Sequence, residues 1–292
     1  MRINKSDYQI QLNSKVNLGD LETNPFKEIS KDILKDLTKN EVEKIDNFQN
    51  ILYAENRRAL LVILQGMDAS GKDSTIKAIM TGVNPQGVHV TSFKKPSTLE
   101  LDHDYLWRHY LALPERGKIG IFNRSHYENV LITKVHPEFL LAENLHNVHK
   151  IEDVTEDFWN KRYEQIKEFE ETISQNGIKI IKFKLHISKK EQKERFIKRI
   201  ENKEKNWKFS SLDILERKFW DKYQSAFEIA LSKTSTEDCP WFVIPFDNKA
   251  FGQYCMASII AQTLEEMNPQ FPELDFEEEA KLKTCLEELK NE

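Results

Sequence analysis

A run of eight residues in the first third of the chain, GMDASGKD at positions 66–73, has the composition of a phosphate-binding loop. In the usual pattern G-x-x-x-x-G-K-[ST], backbone N–H groups converge on phosphate oxygens, the lysine reaches the transferred phosphoryl group and the hydroxyl holds Mg²⁺. The positive end of the helix that follows also attracts anions. The sequence therefore predicts phosphate binding by Gly66, Met67, Ala69, Ser70, Gly71, Lys72, Asp73 and Ser74.

Two acids distinguish this loop from the usual pattern. Asp73 stands where a hydroxyl is expected, and Asp68 lies inside the loop. A carboxylate inside a phosphate-binding loop repels phosphate unless a cation lies between them, which makes Asp68 a candidate Mg²⁺ ligand. An Asp side chain that stabilises the turn is the alternative interpretation.

A second group of polar residues follows the apolar stretch at 118–122, the third predicted strand. Open parallel sheets bind ligands at the carboxyl ends of their strands, but Asn123 stands where a metal-binding acid is expected. An amide oxygen can contact a metal without adding charge, so the ionic role passes to Asp68 and Glu128. Arg124 offers a planar fork for charge that develops on a moving phosphoryl group, with a structural ion pair as the alternative. We predict a metal site of Asp68, Asn123 and Glu128, and a catalytic set of Asp68, Lys72 and Arg124.

Positive charge is concentrated near these motifs, although the whole chain carries a formal net charge of −5. Residues 189–208 contain nine Lys or Arg against four Glu, and two of the arginines, four positions apart, lie on one helix face. A helical lid at about 189–211 would bring both arginines over an anion and expel water as it closes. A solvated helix face would explain the same charges without a function. The predicted phosphate contacts in this basic group are Lys94, Lys95, Arg108, Arg195 and Arg199.

The elements that must position these residues alternate along the chain. Short apolar runs predict strands at 58–65, 87–93, 118–122, 178–187 and 241–245. Helical spacing and capping signals predict helices at 32–53, 72–80, from Ser97 through Arg108, at 153–175, from 189, and at 212–232 and 251–267. This alternation predicts an α/β fold with a parallel sheet covered by helices on both faces. The predicted organisation is an N-terminal extension with a helix (1–56), a core that includes the lid (57–267) and an acidic tail (268–292).

Composition narrows the class of protein further. The chain has 292 residues and 39% hydrophobic content, and its longest apolar run, six residues at 59–64, is too short to span a bilayer. The N-terminus lacks the apolar stretch of a signal peptide, and three widely spaced cysteines predict reduced thiols. We therefore expect a cytoplasmic protein without a membrane partner, and its net negative charge gives no reason to expect nucleic acid.

Four ordered motifs resemble the polyphosphate kinase 2 family. They are LQGMDASGKD at 64–73, TSFK with PS at 91–97, ELDHDYLWR at 100–108 and FNRSHYE at 122–128. The resemblance implies a thymidylate-kinase-like P-loop kinase fold and reversible transfer of the terminal phosphate of inorganic polyphosphate to AMP and/or ADP. It also implies Mg²⁺, with Mn²⁺ as an alternative ion, and a homo-oligomer that is a dimer or a tetramer. Asn123 and Glu128 in the last motif resemble the subgroup that acts on both AMP and ADP.

The same resemblance implies roles for individual residues. It makes Lys72 and Arg124 phosphate-binding residues and Asp68 a metal-site acid, and it places the lid arginines near the phosphates. The loop after the fifth predicted strand is where folds of this class often meet a base. The predicted nucleotide contacts are Asn123, Arg124, Glu128, Asp247 and Asn248.

Two other functions stay open at the level of the sequence. An ATP-dependent nucleoside monophosphate kinase would share the fold, the loop and the lid, and the segment 94–108 alone separates it from the polyphosphate enzyme. A non-catalytic nucleotide-binding switch is expected to lack Arg124 and a basic lid. His103, His109 and His126 receive no role, since isolated histidines more often pack or form hydrogen bonds. The tail after Glu265 is predicted to form a helix that docks on a neighbour.

Overall fold

The computed structural model describes residues 2–292, without the side chain of Lys208, and contains a five-stranded sheet. All neighbouring strands are parallel, in the order β2-β3-β1-β4-β5, which confirms the predicted α/β class. The strands lie within two residues of the predicted ranges. They are β1 (Ala59–Gly66), β2 (Val88–Ser92), β3 (Ile119–Asn123), β4 (Ile178–His186) and β5 (Trp241–Pro245).

Helices pack in two mutually contacting groups, α1 with α2 and α10, and α5 with α6 and α9, as expected for a sheet covered on both faces. Short 3₁₀ turns connect several of them. The helices are α1 (Lys31–Glu55), α2 (Lys72–Met80), α3 (Thr98–Leu101), α4 (Trp107–Tyr110), α5 (Glu128–Val135), α6 (Glu156–Gln175), α7 (Lys189–Glu201), α8 (Ser211–Glu216), α9 (Trp220–Thr234), α10 (Lys249–Met267) and α11 (Phe276–Asn291).

Two helices predicted as continuous are interrupted. The helix expected from Ser97 through Arg108 is split into α3 and α4, because the Asp104 side chain accepts a 2.8 Å hydrogen bond from the Leu106 N–H and forms a turn. The helix expected at 212–232 is split into α8 and α9 by a 3₁₀ turn at Arg217–Phe219. Sequence periodicity also missed α5, which begins directly after the Asn123–Tyr127 segment.

The N-terminal segment is packed into the core and is not a loose extension. Helix α1 begins after Ser30, whose hydroxyl accepts a bond from the Asp32 N–H, and it buries Leu34, Ile45 and Leu52 completely against the α10 group. Ahead of it, Ile10 donates a 2.9 Å backbone bond to Trp241 on the outer edge of β5. This contact covers the exposed edge of the sheet.

The C-terminal helix α11 projects from this core. Asp275 caps its first turn, and none of its residues is buried. Docking of this helix on a neighbour stays a prediction. Within residues 2–292, no helix is both long enough and apolar enough to cross a membrane.

Candidate active site

The predicted phosphate-binding loop joins the carboxyl end of β1 to α2. Ala69 and Gly71 adopt left-handed backbone angles, φ +60° and +105°, which turn the chain sharply into the helix. Lys72 lies at the start of α2 with 8% of its surface exposed, and its Nζ donates to the carbonyls of Gly66 at 2.7 Å and Met67 at 3.3 Å. Burial and the Arg124 charge lower the pKa of Lys72 to about 8, against the opposing charges of nearby acids. The lysine is therefore folded back into the loop that it is predicted to serve.

Arg124 brings the two predicted metal-site acids together. Its Nη2 donates to Asp68, and its Nη1 donates to Glu128 Oε2 at 3.1 Å. The Arg124 backbone is left-handed, φ +64°, and its N–H bonds to the Leu64 carbonyl at 3.0 Å, so the turn after β3 fixes the guanidinium beside the loop. Burial would raise the pKa of Asp68, but the charges of Arg124, Lys72 and Arg199 outweigh it and the pKa is lowered. Asp68 is therefore held as a carboxylate.

The two departures from the usual P-loop pattern are in direct contact. Asn123 Nδ2 donates to Asp73 Oδ1 at 2.9 Å and lies 3.3 Å from the Ser92 hydroxyl. Asp73 replaces the usual hydroxyl, and Asn123 replaces the usual acid, so the amide nitrogen faces the relocated carboxylate. This leaves the Asn123 amide oxygen as the atom that could contact a metal or its water.

Arg195 donates to the backbone of the phosphate-binding loop, and its predicted phosphate contact stays a prediction. Its guanidinium donates to the carbonyls of Ala69 and Ser70 in the loop, to those of Phe246 and Asp247 after β5, and to Glu191 at 2.8 Å. All five N–H groups of an arginine are used by these contacts. In this arrangement Arg195 positions the loop.

The second lid arginine faces the site through a residue that sequence reasoning missed. Arg199 Nη1 donates to Asp213 Oδ2 of α8 at 3.2 Å. Burial and the Asp68 charge raise the pKa of Asp213, against the charges of Arg199 and other cations of the site. Gln192 of α7 is also in contact, since its Nε2 donates to the Asp68 carbonyl at 3.0 Å. No motif marks either residue, although a buried Gln on a lid helix could have drawn attention to Gln192.

Of the other predicted phosphate contacts, two lysines are exposed and one arginine pairs with an acid. Lys94 and Lys95 are exposed after β2. Arg108 pairs with Glu100 at 3.2 Å and its guanidinium carbon lies 5.1 Å from the centre of the Phe93 ring. Arg108 therefore forms an ion pair with Glu100 through its Nε, and its predicted phosphate contact stays a prediction.

Asp247 and Asn248 hold neighbouring protein segments, and their predicted nucleotide contacts stay predictions. Asp247 Oδ1 accepts from the Ser188 N–H and Oδ2 accepts from the Thr23 hydroxyl, both at 2.7 Å. Asn248 caps α10 by accepting from the Phe251 N–H at 3.3 Å. Both side chains hold protein segments together.

The acids of the site fit a magnesium ion that is completed by substrate. Within residues 2–292 no group of three or more His, Cys, Asp or Glu side chains could enclose a metal. Mg²⁺ usually binds through one or two carboxylates together with substrate phosphates and water, and not in an all-protein cage. Asp68 and Glu128, which share Arg124, match that donor set.

A buried polar network lies beneath the Asn123–Glu128 segment. Lys182 of β4 donates to Glu170 of α6, to the Tyr127 hydroxyl at 3.0 Å and to the Thr234 carbonyl at 2.7 Å. Tyr127 donates to Glu170 at 2.9 Å, and His126 Nε2 lies 3.2 Å from the same carboxylate. The network fixes the start of α5 and with it the turn that carries Arg124.

Lys184 is a buried lysine without a counter-charge, on β4 opposite Gln65 of β1. It is 1% exposed, donates to the Leu185 carbonyl at 3.2 Å, and its Nζ lies 3.9 Å from the centre of the Phe227 ring. Among the described residues, no carboxylate lies within 4.0 Å of its Nζ. Burial and the Lys72 charge lower the pKa of Lys184 to about 7.

The lowered pKa of Lys184 predicts a pH dependence of stability. In an unfolded chain a lysine has a pKa of about 10.4, so above pH ~7 the unfolded state binds the extra proton and this group adds about 1.4 kcal/mol of stability per pH unit. Lys184→Met removes this pH dependence, and at pH 7 the variant should be more stable than wild type because it buries no ionisable group. The difference between their free energies of unfolding, measured with urea, should shrink from pH 7 to pH 9, because the wild type gains stability over that range. Lys179→Met, at a half-buried position on the same strand, is the control, and an advantage independent of pH would contradict the prediction.

Three features define a phosphotransferase of the P-loop kinase class. A P-loop follows the first strand of a parallel sheet, an Asp–Arg pair joins this loop to the third strand, and a basic helix lies over it. The family model described as Polyphosphate kinase 2 matches residues 28–272. The chain therefore belongs to the polyphosphate kinase 2 family and is a polyphosphate-dependent nucleotide phosphotransferase. The resemblance inferred from the four motifs is confirmed.

Named relatives and solved structures agree with this membership. The chain is 46% identical to the ADP-polyphosphate phosphotransferase of Rhodopseudomonas palustris, with 94% of each chain covered. It is 44% identical to the AMP/ADP-polyphosphate phosphotransferase of Meiothermus ruber, with 79% of this chain and 80% of the relative covered. The crystal structure of polyphosphate kinase 2 from Arthrobacter aurescens is 32% identical and superposes with a TM-score of 0.85, covering 96% of this chain and 95% of the other.

Proposed function

We propose that the protein transfers the terminal phosphate of inorganic polyphosphate to both ADP and AMP, reversibly and with Mg²⁺. The observation that carries this proposal is the convergence of Lys72, the Asp68–Arg124 pair and Glu128 at the ends of β1 and β3. The named activities of the Rhodopseudomonas and Meiothermus relatives support ADP and AMP as acceptors. An ATP-dependent nucleoside monophosphate kinase finds no support among these relatives.

The chemistry needs no protein nucleophile, because phosphoryl transfer depends on positioning and on neutralising charge. Lys72 contacts oxygens of the transferred group, and Arg124 stabilises the charge that builds up on it. Asp68 and Glu128 would hold the ion, with the Asn123 amide oxygen beside them. When bound, Mg²⁺ supplies charge neutralisation between donor and acceptor oxygens.

The lid would complete the site when substrate is present. The proposed lid comprises residues 189–211. Arg199 is held on the lid by its bond to Asp213 Oδ2 at 3.2 Å, and its charge adds to those that lower the pKa of Asp68. Arg195 fixes the loop whose amides receive phosphate. Closing this arrangement excludes water and strengthens each electrostatic contact.

An assay without a nucleoside triphosphate tests the function. The protein is mixed with Mg²⁺, long-chain inorganic polyphosphate and either ADP or AMP. We expect ATP from ADP, and ADP followed by ATP from AMP. Conversion of AMP only when ATP is added as donor would instead identify a nucleoside monophosphate kinase, and replacing Mg²⁺ with Mn²⁺ tests the metal.

We further propose a cytoplasmic location and a homo-oligomeric assembly, a dimer or a tetramer. Cys239 and Cys255 are buried and unpaired, and Cys285 is exposed and unpaired, which suits a reducing compartment. The exposed helix α11 is the candidate contact between subunits. Sedimentation of the full chain, compared with the chain ending at residue 272, tests both the assembly and the part played by α11.

A further inference from the structure

Glu216 and Arg217 form a junction between the end of α8 and the 3₁₀ turn that leads into α9. Each of the two side chains is bonded to a different helix, Glu216 to the end of α5 and Arg217 to the start of α7. These helices carry Glu128 and the lid arginines, respectively. The junction therefore connects parts of the chain that meet at the candidate site.

Arg217 is bonded to the first turn of α7. Its Nη1 donates to the Lys189 carbonyl at 2.7 Å and to Gln192 Oε1 at 2.8 Å. Gln192 is 1% exposed, and its Nε2 donates to the Asp68 carbonyl at 3.0 Å. Because the amide oxygen accepts from Arg217, the amide nitrogen faces the phosphate-binding loop. Arg217 is thus connected to the backbone of Asp68 through one buried side chain.

Glu216 holds the junction from its other side. Its Oε2 accepts from the Tyr223 hydroxyl at 2.7 Å and lies 2.9 Å from His136 Nε2. His136 follows the last residue of α5, and its ring packs edge-on against Phe219, with 4.9 Å between the ring centres. The position of Arg217 is therefore fixed by α5 and α9, which belong to the packed core.

These contacts hold the Gln192 amide in one orientation. Without Arg217, the buried Gln192 oxygen has no donor, and the amide is free to turn away from the Asp68 carbonyl. Asp68 is the loop acid that pairs with Arg124. A displacement of about 1 Å at a reacting centre can lower a rate about a hundredfold, so a residue without substrate contact can still affect turnover.

We propose that Arg217 is a positioning residue for phosphoryl transfer, which acts through Gln192 on the backbone of Asp68. Glu216, through His136 and Tyr223, keeps Arg217 in place. The inference rests on the proposed function, because that function assigns Asp68 to the reacting centre.

Arg217→Met and Gln192→Met test this connection, with Lys218→Met as the matched control at the neighbouring exposed position. Each of the first two variants should lower kcat for ATP formation from ADP and polyphosphate about tenfold, the change expected from losing one hydrogen bond to a charged group. KM for ADP and for polyphosphate should stay close to the wild-type values, because neither side chain is proposed to contact substrate. The control should change none of these constants.

The double variant distinguishes an action through Gln192 from two independent effects. If Arg217 acts through Gln192, the variant with both substitutions should have nearly the kcat of the slower single variant. Arg217→Lys keeps a charged donor and should recover part of the lost kcat. A loss of about a hundredfold in the double variant, the product of the two single effects, would overturn the inference.

Hydrogen exchange of the loop amides at 66–73 gives a readout that does not depend on turnover. Exchange there should be faster in Arg217→Met and Gln192→Met than in wild type, while exchange at 59–64 in β1 stays unchanged, which separates a local effect from misfolding. If wild type transfers phosphate but Arg217→Met keeps the wild-type kcat or loop exchange, the inference is overturned and the proposed function stands. If wild type shows no transfer, the proposed function fails, and faster loop exchange in both variants would still support the connection from Arg217 to the loop.

Discussion

Replacing Lys72 with methionine is expected to lower kcat for ATP formation from ADP and polyphosphate by about a hundred- to a thousand-fold. Methionine keeps most of the length of the side chain but removes the charge that is proposed to contact the transferred phosphoryl group. The wild-type ammonium is buried in the loop and lies within hydrogen-bond distance of two loop carbonyls. Initial rates at saturating ADP and polyphosphate measure the effect.

The matched control for Lys72→Met is Lys77→Met, one and a half turns further along α2 on an exposed position. This variant loses the same charge from the same helix and should keep kcat within a factor of about two, since exposed substitutions have small effects. A Lys72→Met enzyme with nearly wild-type kcat would remove Lys72 from the mechanism. Thermal unfolding of both variants shows whether the loop still folds.

Replacing Glu170 with leucine is expected to lower the free energy of unfolding by about 3–5 kcal/mol, because it leaves the buried Lys182 ammonium without its carboxylate. Glu170 and Lys182 are 1% and 0% exposed, so water cannot replace the lost partner. The double variant Glu170→Leu with Lys182→Met should recover most of the loss, since both charges are then absent. Urea unfolding of the wild type, the two single variants and the double variant measures this coupling.

Additive losses in the double variant would contradict the ion-pair explanation for Glu170 and Lys182. The network also holds Tyr127 and His126, so Glu170→Leu should lower kcat as well by loosening the turn at Arg124. The double variant is not expected to restore kcat fully, because Tyr127 would still lack two of its partners.

Local features of the fold could be predicted from the sequence. Each strand was visible because its apolar run is short. In β1 every residue is buried, whereas β2, at the edge of the sheet, has no buried residue. The P-loop was visible because its chemistry depends on residues adjacent in the chain. The break between α3 and α4 was not visible, because it depends on one hydrogen bond from Leu106 to Asp104 that competes with helix formation.

Features that depend on distant parts of the chain could not be predicted. Arg195 shares a helix face with Arg199, but its guanidinium meets the turn after β5, whose position follows from the whole sheet. Asp213 enters the site only because α8 folds back under Arg199. Helical spacing correctly predicts which residues share a face of one helix, but it does not predict what lies opposite that face.

The contacts of Gln192 and Arg195 determine which part of the lid can move. Both side chains, from the first two turns of α7, bind backbone carbonyls of the phosphate-binding loop itself. The start of α7 therefore cannot swing away without pulling the phosphate-binding amides out of position. If the lid closes, we therefore expect it to bend after Arg195, between the middle of α7 and α8. The loop and the first half of α7 are joined by these bonds, and we expect them to move together.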